Sequence, residues 1–214
     1  MKLYGYWRSG ATWRVRIALA WKGIAYEYQP VNLLEGKQHD EPYKALNLMQ
    51  SVPLLEWHEG EAVRRLAQSL AILDHLEQRY PSPPLLPTDP WLRARARQLA
   101  EMVNSGIQPF QTPAVLGQVK ALGGEEKPWV EFFYRRGLTA LEEETSRTAG
   151  RFSVGDAPSF ADCCLVPQLY ACRRWKFDLS PFPTLTRIEA ACEALPAFQA
   201  AHPDRQADAV HAPR

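Results

Sequence analysis

Residues 2–22 decide the start of the fold and read K-L-Y-G-Y-W-R-S-G-A-T-W-R-V-R-I-A-L-A-W-K. The first five of them alternate in the manner of a β-strand, whose neighbouring side chains point to opposite faces. From Trp13 to Lys22 the apolar residues recur at helical spacing, which predicts an α-helix. Gly23 follows, and glycine commonly ends a helix because it tolerates a positive φ. The segment therefore predicts a strand followed directly by a helix.

Strand and helix patterns continue to alternate up to residue 79. Residues 26–31 predict a second strand, and residues 40–47 predict a short helix. Two more strands, over 54–57 and 62–66, are joined by a tight connection, and a helix over 69–79 follows. The predicted order is βαβαββα, with a parallel crossover first and an antiparallel hairpin second.

A proline-rich segment divides the chain. Residues 80–90 read Y-P-S-P-P-L-L-P-T-D-P, and a run with five prolines cannot continue a helix or a central strand. We expect a domain over 1–80, a semi-rigid linker over 81–90 and an all-helical domain over 91–214. The tail after His202 is expected to be loosely ordered. The helices of the second domain are expected over 91–105, near 114–121, over 127–148, from Pro158 onward and over 184–195.

Composition excludes several classes of function. The 25 Lys and Arg residues balance 24 Asp and Glu residues, which argues against a nucleic-acid-binding surface. No apolar run approaches the ~18–20 residues that span a bilayer, and no secretory signal is visible, so we expect no membrane partner. The four cysteines match neither a disulfide framework nor a zinc site, which indicates a metal-free protein of the reducing cytoplasm. Motifs of nucleotide-binding loops and of serine hydrolases are missing.

The junction between the first strand and the first helix is the first candidate for chemistry. Ser9 and Thr12 lie where exposed backbone N–H groups and the helix dipole favour an anion. Both hydroxyls can serve as helix caps alone. A hydroxyl at this place can also donate a hydrogen bond to a thiolate and lower the pKa of the thiol. These residues leave both interpretations open.

Two further segments carry similar alternatives. Val52-Pro53 precedes a strand and is a plausible cis peptide, whose Val52 backbone groups could pair with an extended peptide ligand; a trans proline at a strand start is the commoner case. Gln68-Ser69 opens the last helix of the first domain. Ser69 can cap that helix, or its hydroxyl and N–H can bind a ligand carboxylate, with Gln68 supplying an amide.

Taken in order, these segments resemble one family. The order βαβαββα, the candidate cis proline and the helical second half look like a cytosolic glutathione transferase, and residues 7–19 are similar to the zeta-class signature R-S-S-C-S-x-R-V-R-I-A-L. The resemblance covers essentially the whole chain. Its segments are W-R-S-G-A-T-W-R-V-R-I-A-L at 7–19, A-L-N-L-M-Q-S-V-P at 45–53, Q-S-L-A-I at 68–72, S-G-I-Q-P at 105–109, V-G-D-A-P-S-F-A-D at 154–162, L-V-P-Q at 165–168 and R-R-W-K-F-D-L at 173–179.

The resemblance implies a thioredoxin-like first domain that binds glutathione as cosubstrate, followed by a helical substrate-binding domain. Ser9 matches the catalytic serine that hydrogen-bonds the glutathione sulfur. Val52 matches the residue whose backbone pairs with the cysteinyl part of glutathione, and Gln68 and Ser69 match the pair that holds its γ-glutamyl end. The adjoining Gly10 and Pro53 belong to the same glutathione-binding segments. A homodimer is expected for this superfamily, and no metal.

The chain departs from the signature beside Ser9. Gly10 stands where the family commonly has serine, and Ala11 where it commonly has cysteine. The departure removes one sulfur near the site and leaves the hydroxyl of Ser9. A glutaredoxin-like disulfide exchange is therefore not expected, because no protein thiol lies at the helix entrance.

Substrate binding is expected to depend on cations, because the zeta-class substrates are small dicarboxylates and guanidinium groups grip carboxylates bidentately. By resemblance, Arg8 and Arg174 are the substrate-binding arginines, and a structural salt bridge is the alternative for each. Gln108 and Gln111 occupy the segment that lines the family's substrate pocket. Four other arginines are expected to face solvent: Arg93, Arg95, Arg97 and Arg173.

The zeta class includes maleylacetoacetate isomerase and its bacterial relative maleylpyruvate isomerase. The resemblance therefore implies glutathione-dependent cis–trans isomerisation of maleylacetoacetate to fumarylacetoacetate in tyrosine catabolism, and Gln108 and Gln111 favour this substrate over maleylpyruvate. Conjugation or dehalogenation of small electrophilic acids uses the same site and is the alternative activity. A non-catalytic binding protein on the same fold is disfavoured because Ser9 is present.

Overall fold

The computed structural model describes residues 1–209. These residues form two compact units, one over 1–84 together with the segment from Leu195 onward, and one over 85–194. The boundary after residue 84 falls inside the proline-rich segment. Within residues 1–209, no helix is long and apolar enough to cross a membrane.

The first unit is built on a four-stranded sheet. Its strands are β1 (Lys2–Gly5), β2 (Glu27–Pro30), β3 (Leu54–Glu59) and β4 (Ala62–Ala67), arranged in the order β2-β1-β3-β4. β1 pairs with β2 in parallel and with β3 antiparallel, and β3 pairs antiparallel with β4. The parallel crossover and the hairpin are confirmed. The hairpin turn is tighter than predicted, because β3 continues through Glu59.

Three helices complete the βαβαββα pattern: α1 (Gly10–Trp21), α2 (Glu41–Lys44) and α3 (Ser69–Arg79). α1 begins three residues before the predicted start at Trp13, because Ser9 caps it. It ends at Trp21, and Gly23 adopts the expected left-handed backbone with φ of 64°. Leu3, Leu19 and other fully buried side chains of the sheet, α1 and α3 form the core: Val15, Ile17, Leu54, Leu55, Ile72, Leu73 and Leu76.

The second unit is helical, as predicted. Its helices are α4 (Pro90–Gly106), α5 (Pro113–Ala121), α6 (Glu126–Ser146), α7 (Phe160–Arg174) and α8 (Pro183–Glu193). α7 begins with a capping box in which the buried Asp162 carboxylate accepts hydrogen bonds from the backbone N–H and the hydroxyl of Ser159. Three of the cysteines, Cys163, Cys164 and Cys172, are buried in α7, and the fourth, Cys192, is buried in α8.

The C-terminal segment differs from the expected division. α9 (Pro196–Ala201), which the sequence did not predict, packs against α1, so residues 195–209 belong with the first unit and not with the helical one. Pro203–Arg205 form a turn of 3₁₀-helix, and Asp208 makes two hydrogen bonds. The expectation of a loose tail is therefore wrong for residues 203–209, because the Trp7 backbone N–H and the Tyr28 hydroxyl bind Asp208 and Pro203 is buried. Residues 210–214 lie outside the described part.

Candidate active site

Ser9 occupies the N-cap of α1. Its Oγ accepts a hydrogen bond from the Thr12 backbone N–H at 3.2 Å, and its own N–H donates to the Tyr6 carbonyl at 3.0 Å. The capping role of Ser9 is thus present in the structure. Capping uses a lone pair of the oxygen, so the hydroxyl proton can still be donated to an anion at the helix N-terminus. Thr12 lies inside α1 and does not cap it.

A glycine allows α1 to approach the sheet below Ser9. A Cβ atom on Gly5 would lie 2.3 Å from Cγ2 of the buried Thr12 side chain. That distance is well inside van der Waals contact, so no larger residue fits here without displacing the start of α1. Gly5 therefore fixes the depth at which the helix N-terminus lies.

The Val52–Pro53 peptide bond is cis, which selects one of the two alternatives that the sequence left open. Pro53 is buried, and β3 begins with the next residue. The carbonyl of Ser51 accepts hydrogen bonds from the Tyr43 hydroxyl at 2.6 Å and from the Asn47 amide at 2.7 Å. Burial raises the pKa of Tyr43 to about 12, so this donor keeps its proton. Tyr43 in α2 and Asn47 just after it thus fix the position of the chain immediately before Val52.

Gln68 and Ser69 lie at the N-terminus of α3. The N-cap is Gln68, with φ of 72° and no side-chain capping bond, so the interpretation of Ser69 as the cap is wrong. Ser69 is the first helical residue and is buried. Nη1 of Arg14, whose side chain is 1% exposed, donates a hydrogen bond to its Oγ at 3.1 Å. The guanidinium adds positive charge where the dipole of α3 already favours an anion.

Arg14 is a residue of this site that sequence reasoning did not single out. The available signal was a pair of arginines, Arg14 and Arg16, inside an otherwise apolar helical stretch. Charged residues are rarely fully buried unless they have partners, so an arginine in such a stretch indicates a specific contact. Arg8, by contrast, is partly exposed, and its guanidinium lies 5.3 Å from the centroid of the Trp7 ring.

In the second unit, Gln108 and Gln111 lie on one 3₁₀ turn, Gln108–Gln111. Oε1 of Gln111 accepts hydrogen bonds from the Tyr134 hydroxyl and from Nε2 of Gln168, the latter at 3.4 Å. Nε2 of Gln111 donates to Oε1 of Gln168 at 3.2 Å. Tyr134 and Gln168 are buried and were not predicted as site residues. Together they fix which way the Gln111 amide faces.

Electrostatics connect Arg174 to the same network. Burial raises the pKa of Tyr134 far above its ordinary value, and the positive charge of Arg174 partly opposes that shift. Tyr134 therefore remains a hydrogen-bond donor. Gln168 also donates to Sγ of Cys172 at 3.5 Å, and burial raises the pKa of that thiol to about 12, so it stays protonated. Gln111 thus binds Tyr134 directly and Arg174 acts on the same tyrosine through its charge, whereas Gln108 lies at the other end of the 3₁₀ turn that carries Gln111.

Two arginines that were expected to face solvent have specific partners. Arg95 is buried and donates to Oε2 of Glu144 at 2.6 Å and to the Glu144 carbonyl at 2.7 Å. Arg173 is half-exposed and forms a bidentate ion pair with the buried Glu189. The solvent-facing expectation is therefore wrong for Arg95 and incomplete for Arg173, because each compensates a carboxylate that a helical bundle partly removes from water.

A cavity of about 740 Å³ in the first unit lies elsewhere. Its walls come from β1, from the segment between β2 and the end of α2, and from Asp208 of the C-terminal segment. Ser9, Val52, Gln68 and Ser69 do not line it. The candidate site therefore depends on helix termini and a loop rather than on this cavity.

Comparison with known proteins places these features in a family. Residues 3–84 match the family described as glutathione S-transferase, N-terminal domain. The chain is 48% identical to maleylacetoacetate isomerase of Rattus norvegicus over 210 residues, which is 96% of this chain and 94% of the rat protein.

Solved structures agree with the match in sequence. The maleylacetoacetate isomerase of Anaeromyxobacter dehalogenans with glutathione in its active site is 54% identical, with a TM-score of 0.91 over 98% of this chain and 97% of that one. A second structure of that protein contains dicarboxyethyl glutathione and citrate. A maleylpyruvate isomerase, a bacterial glutathione transferase of the zeta class, is 40% identical with a TM-score of 0.92 over 98% of this chain and all of its own. The chain belongs to the zeta class of the glutathione transferase family.

Proposed function

We propose that this protein is a glutathione-dependent cis–trans isomerase that converts maleylacetoacetate to fumarylacetoacetate. The observation that carries the proposal is Ser9, a hydroxyl held at the N-terminus of α1 with its proton still available for donation. When bound, glutathione supplies a thiolate that adds to the cis double bond of the substrate and leaves after rotation about the resulting single bond.

The donor set fits glutathione. The N-termini of α1 and α3 lie in one unit and are linked by the hydrogen bond from Arg14 to Ser69. One helix end suits a thiolate, and the other, with a buried guanidinium beside it, suits a carboxylate. Val52 lies between β3 and Ser51, whose carbonyl accepts hydrogen bonds from Tyr43 and Asn47. The Val52 backbone is therefore held in place, as pairing with an extended peptide ligand requires.

Ser9 acts on the thiol. A hydrogen bond donated to sulfur favours the charged form, and the positive end of α1 acts in the same direction, so both lower the thiol pKa. Gly10, as the first residue of α1, adds no side chain there. Gln68 and Ser69 hold the γ-glutamyl end.

We propose that Arg8 and Arg174 bind substrate carboxylates and that Gln108 and Gln111 are further substrate contacts. A guanidinium offers paired donors that match a carboxylate, and the amide of Gln111 is oriented by Tyr134 and Gln168. Neutral glutamines on this turn support maleylacetoacetate over maleylpyruvate.

A paired assay tests the proposal. Purified protein is incubated with maleylacetoacetate or with maleylpyruvate, with and without glutathione, and formation of the trans isomer is followed. We expect isomerisation of maleylacetoacetate that requires glutathione. Equal rates without the thiol would refute the mechanism, and a preference for maleylpyruvate would reverse the substrate assignment. Conversion of a haloacid in place of either isomerisation would support the alternative, conjugation or dehalogenation, which the action of Ser9 on the thiol also permits.

We also propose a cytoplasmic homodimer that acts in the catabolism of aromatic amino acids. Large apolar side chains are exposed in each unit, including Leu48 (84%) and Met49 (72%) in the first and Trp91 in the second, and such residues commonly become buried in an interface. Four free cysteines support a reducing compartment. Sedimentation velocity tests the dimer, and cell fractionation tests the location.

A further inference from the structure

The C-terminal segment returns to the loop that carries Ser9. Oδ2 of Asp208 accepts a hydrogen bond from the Trp7 backbone N–H at 2.9 Å and another from the Tyr28 hydroxyl at 3.1 Å. Trp7 lies two residues before Ser9 and 201 residues before Asp208. A carboxylate from the far end of the chain therefore binds the backbone next to the catalytic position.

The other polar group of the same residue is also held. Nη2 of Arg16 donates to the Trp7 carbonyl at 2.7 Å, and Nε of Arg16 donates to the Ala201 carbonyl, at the end of α9, at 3.1 Å. Arg16 is 0% exposed and belongs to α1. Both the N–H and the carbonyl of Trp7 are thus fixed by side chains, one from the C-terminal segment and one from the helix that Ser9 caps.

Charge compensation fits this arrangement. Burial lowers the pKa of Arg16, and the Asp208 carboxylate is among the groups that oppose the shift. Burial and the Asp208 charge raise the pKa of Tyr28 far above its ordinary value, so its hydroxyl remains a donor to Asp208. The buried Arg16 guanidinium and the Asp208 carboxylate, which accepts two hydrogen bonds, form one network of compensated charges. This network binds both the N–H and the carbonyl of Trp7.

We infer that Asp208 is a positioning residue for catalysis: it holds the Trp7 backbone so that the Ser9 hydroxyl stays directed at the glutathione thiol. The inference rests on the role proposed for Ser9. The Ser9 N–H donates to the Tyr6 carbonyl and closes a turn over residues 6–9. Because Trp7 lies inside this turn, holding its backbone restricts the position of Ser9. Misplacement of a catalytic group by a fraction of an ångström lowers its contribution strongly, and Asp208 acts on Ser9 through its hydrogen bond to Trp7.

The test compares variants at Asp208 by the ultraviolet absorbance of bound thiolate as a function of pH, and by kcat. Asp208→Ala removes the acceptor; we expect a higher thiol pKa and a kcat reduced by about tenfold. Asp208→Asn keeps an acceptor oxygen for Trp7 N–H, and we expect it to restore most of the lost activity. Tyr28→Phe removes the second donor to Asp208 and leaves the carboxylate that binds Trp7 N–H, so it serves as the matched control, with values near those of the unsubstituted protein.

A double variant separates positioning from a purely structural role. If Asp208 acts through Ser9, adding Asp208→Ala to Ser9→Ala should raise the thiol pKa little further. Additive effects, or an unchanged thiol pKa in folded Asp208→Ala, would overturn the inference while leaving the role of Ser9 intact. An unchanged thiol pKa in Ser9→Ala would refute the proposed role of Ser9 and the inference together. If Asp208→Ala does not fold, Asp208→Glu, which keeps the charge but displaces the acceptor, replaces it with the same criteria.

Discussion

Replacing Ser9 separates its structural role from its chemical role. Ser9→Ala removes the oxygen that accepts from Thr12 N–H, and loss of an N-cap costs about 1 kcal/mol. For a chain of this size, that corresponds to a melting temperature lower by about 2–4 °C. Ser9→Gly also lacks the hydroxyl, but glycine at an N-cap costs only a few tenths of a kcal/mol. The two variants therefore differ in stability and not in the donor that they lose.

The chemical effect should be the same in both variants. A hydrogen bond to a charged group contributes about 1.5–3 kcal/mol, and a pKa unit corresponds to about 1.4 kcal/mol. The thiol pKa of bound glutathione should therefore rise by about one to two units. By analogy with oxyanion donors, kcat should fall by about 10²-fold. Thiolate absorbance against pH, the rate of isomerisation and thermal unfolding are measured on both proteins.

One outcome of comparing Ser9→Ala with Ser9→Gly would contradict the chemical role of Ser9. If the activity of Ser9→Gly stays near that of the unsubstituted protein while Ser9→Ala loses activity, the loss follows helix capping. Ser9 would then be a structural residue. Ser9→Thr, which keeps both the acceptor and the donor, is the control and should retain activity.

Three further changes test the remaining assignments. Arg14→Gln removes the guanidinium beside Ser69, and glutathione should bind about tenfold more weakly by calorimetry, because a charged hydrogen-bond donor is lost. Tyr134→Phe leaves Oε1 of Gln111 without its hydroxyl donor; the KM for maleylacetoacetate should rise by about threefold to tenfold, with an unchanged Kd for glutathione. Burial raises the pKa of Cys172 from 9.0 to about 12, so the unfolded chain loses this proton at lower pH than the folded one. The free energy of unfolding should therefore decrease as pH rises from about 9 toward 12, measured by urea denaturation.

Each of these expectations has its own contradicting outcome. Arg14→Lys keeps a positive charge and should bind glutathione better than Arg14→Gln; equal affinity in both would exclude an electrostatic role. A changed Kd for glutathione in Tyr134→Phe would place that tyrosine outside the substrate network. Cys172→Ala should weaken the alkaline loss of stability, and an identical pH profile would assign that loss to other groups.

Local features of this chain were readable from the sequence because short-range rules determine them. α3 has the predicted bounds, Ser69–Arg79, and Gly23 has the predicted positive φ. The capping box at Ser159 and Asp162 is equally local, since its partners are three residues apart. In contrast, the residues around Val52 permitted both isomers of the peptide bond, and the structure decided between them.

Long-range partners could not be read in the same way. The sequence does not distinguish Arg95 from Arg93 and Arg97, because its partner Glu144 lies on α6, 49 residues later. Likewise, Arg14 binds Ser69, 55 residues later in the chain. α9 has six residues, too few for a helical period to be distinguished, and its burial depends on the surface of α1. What the sequence lacked was the identity of tertiary neighbours, on which the role of a buried charge depends.

Because residues 195–209 fold with residues 1–84, the helical unit is an insertion within the first unit and not an appendage to it. A fragment ending at Pro84 would leave the surface of α1 that α9 covers open to water. A chimera that receives a different helical unit must therefore have two chain junctions, one near Pro84 and one near Leu195. If enzymes exchange this unit in evolution, we expect them to retain the junction near Leu195 as strictly as the junction near Pro84.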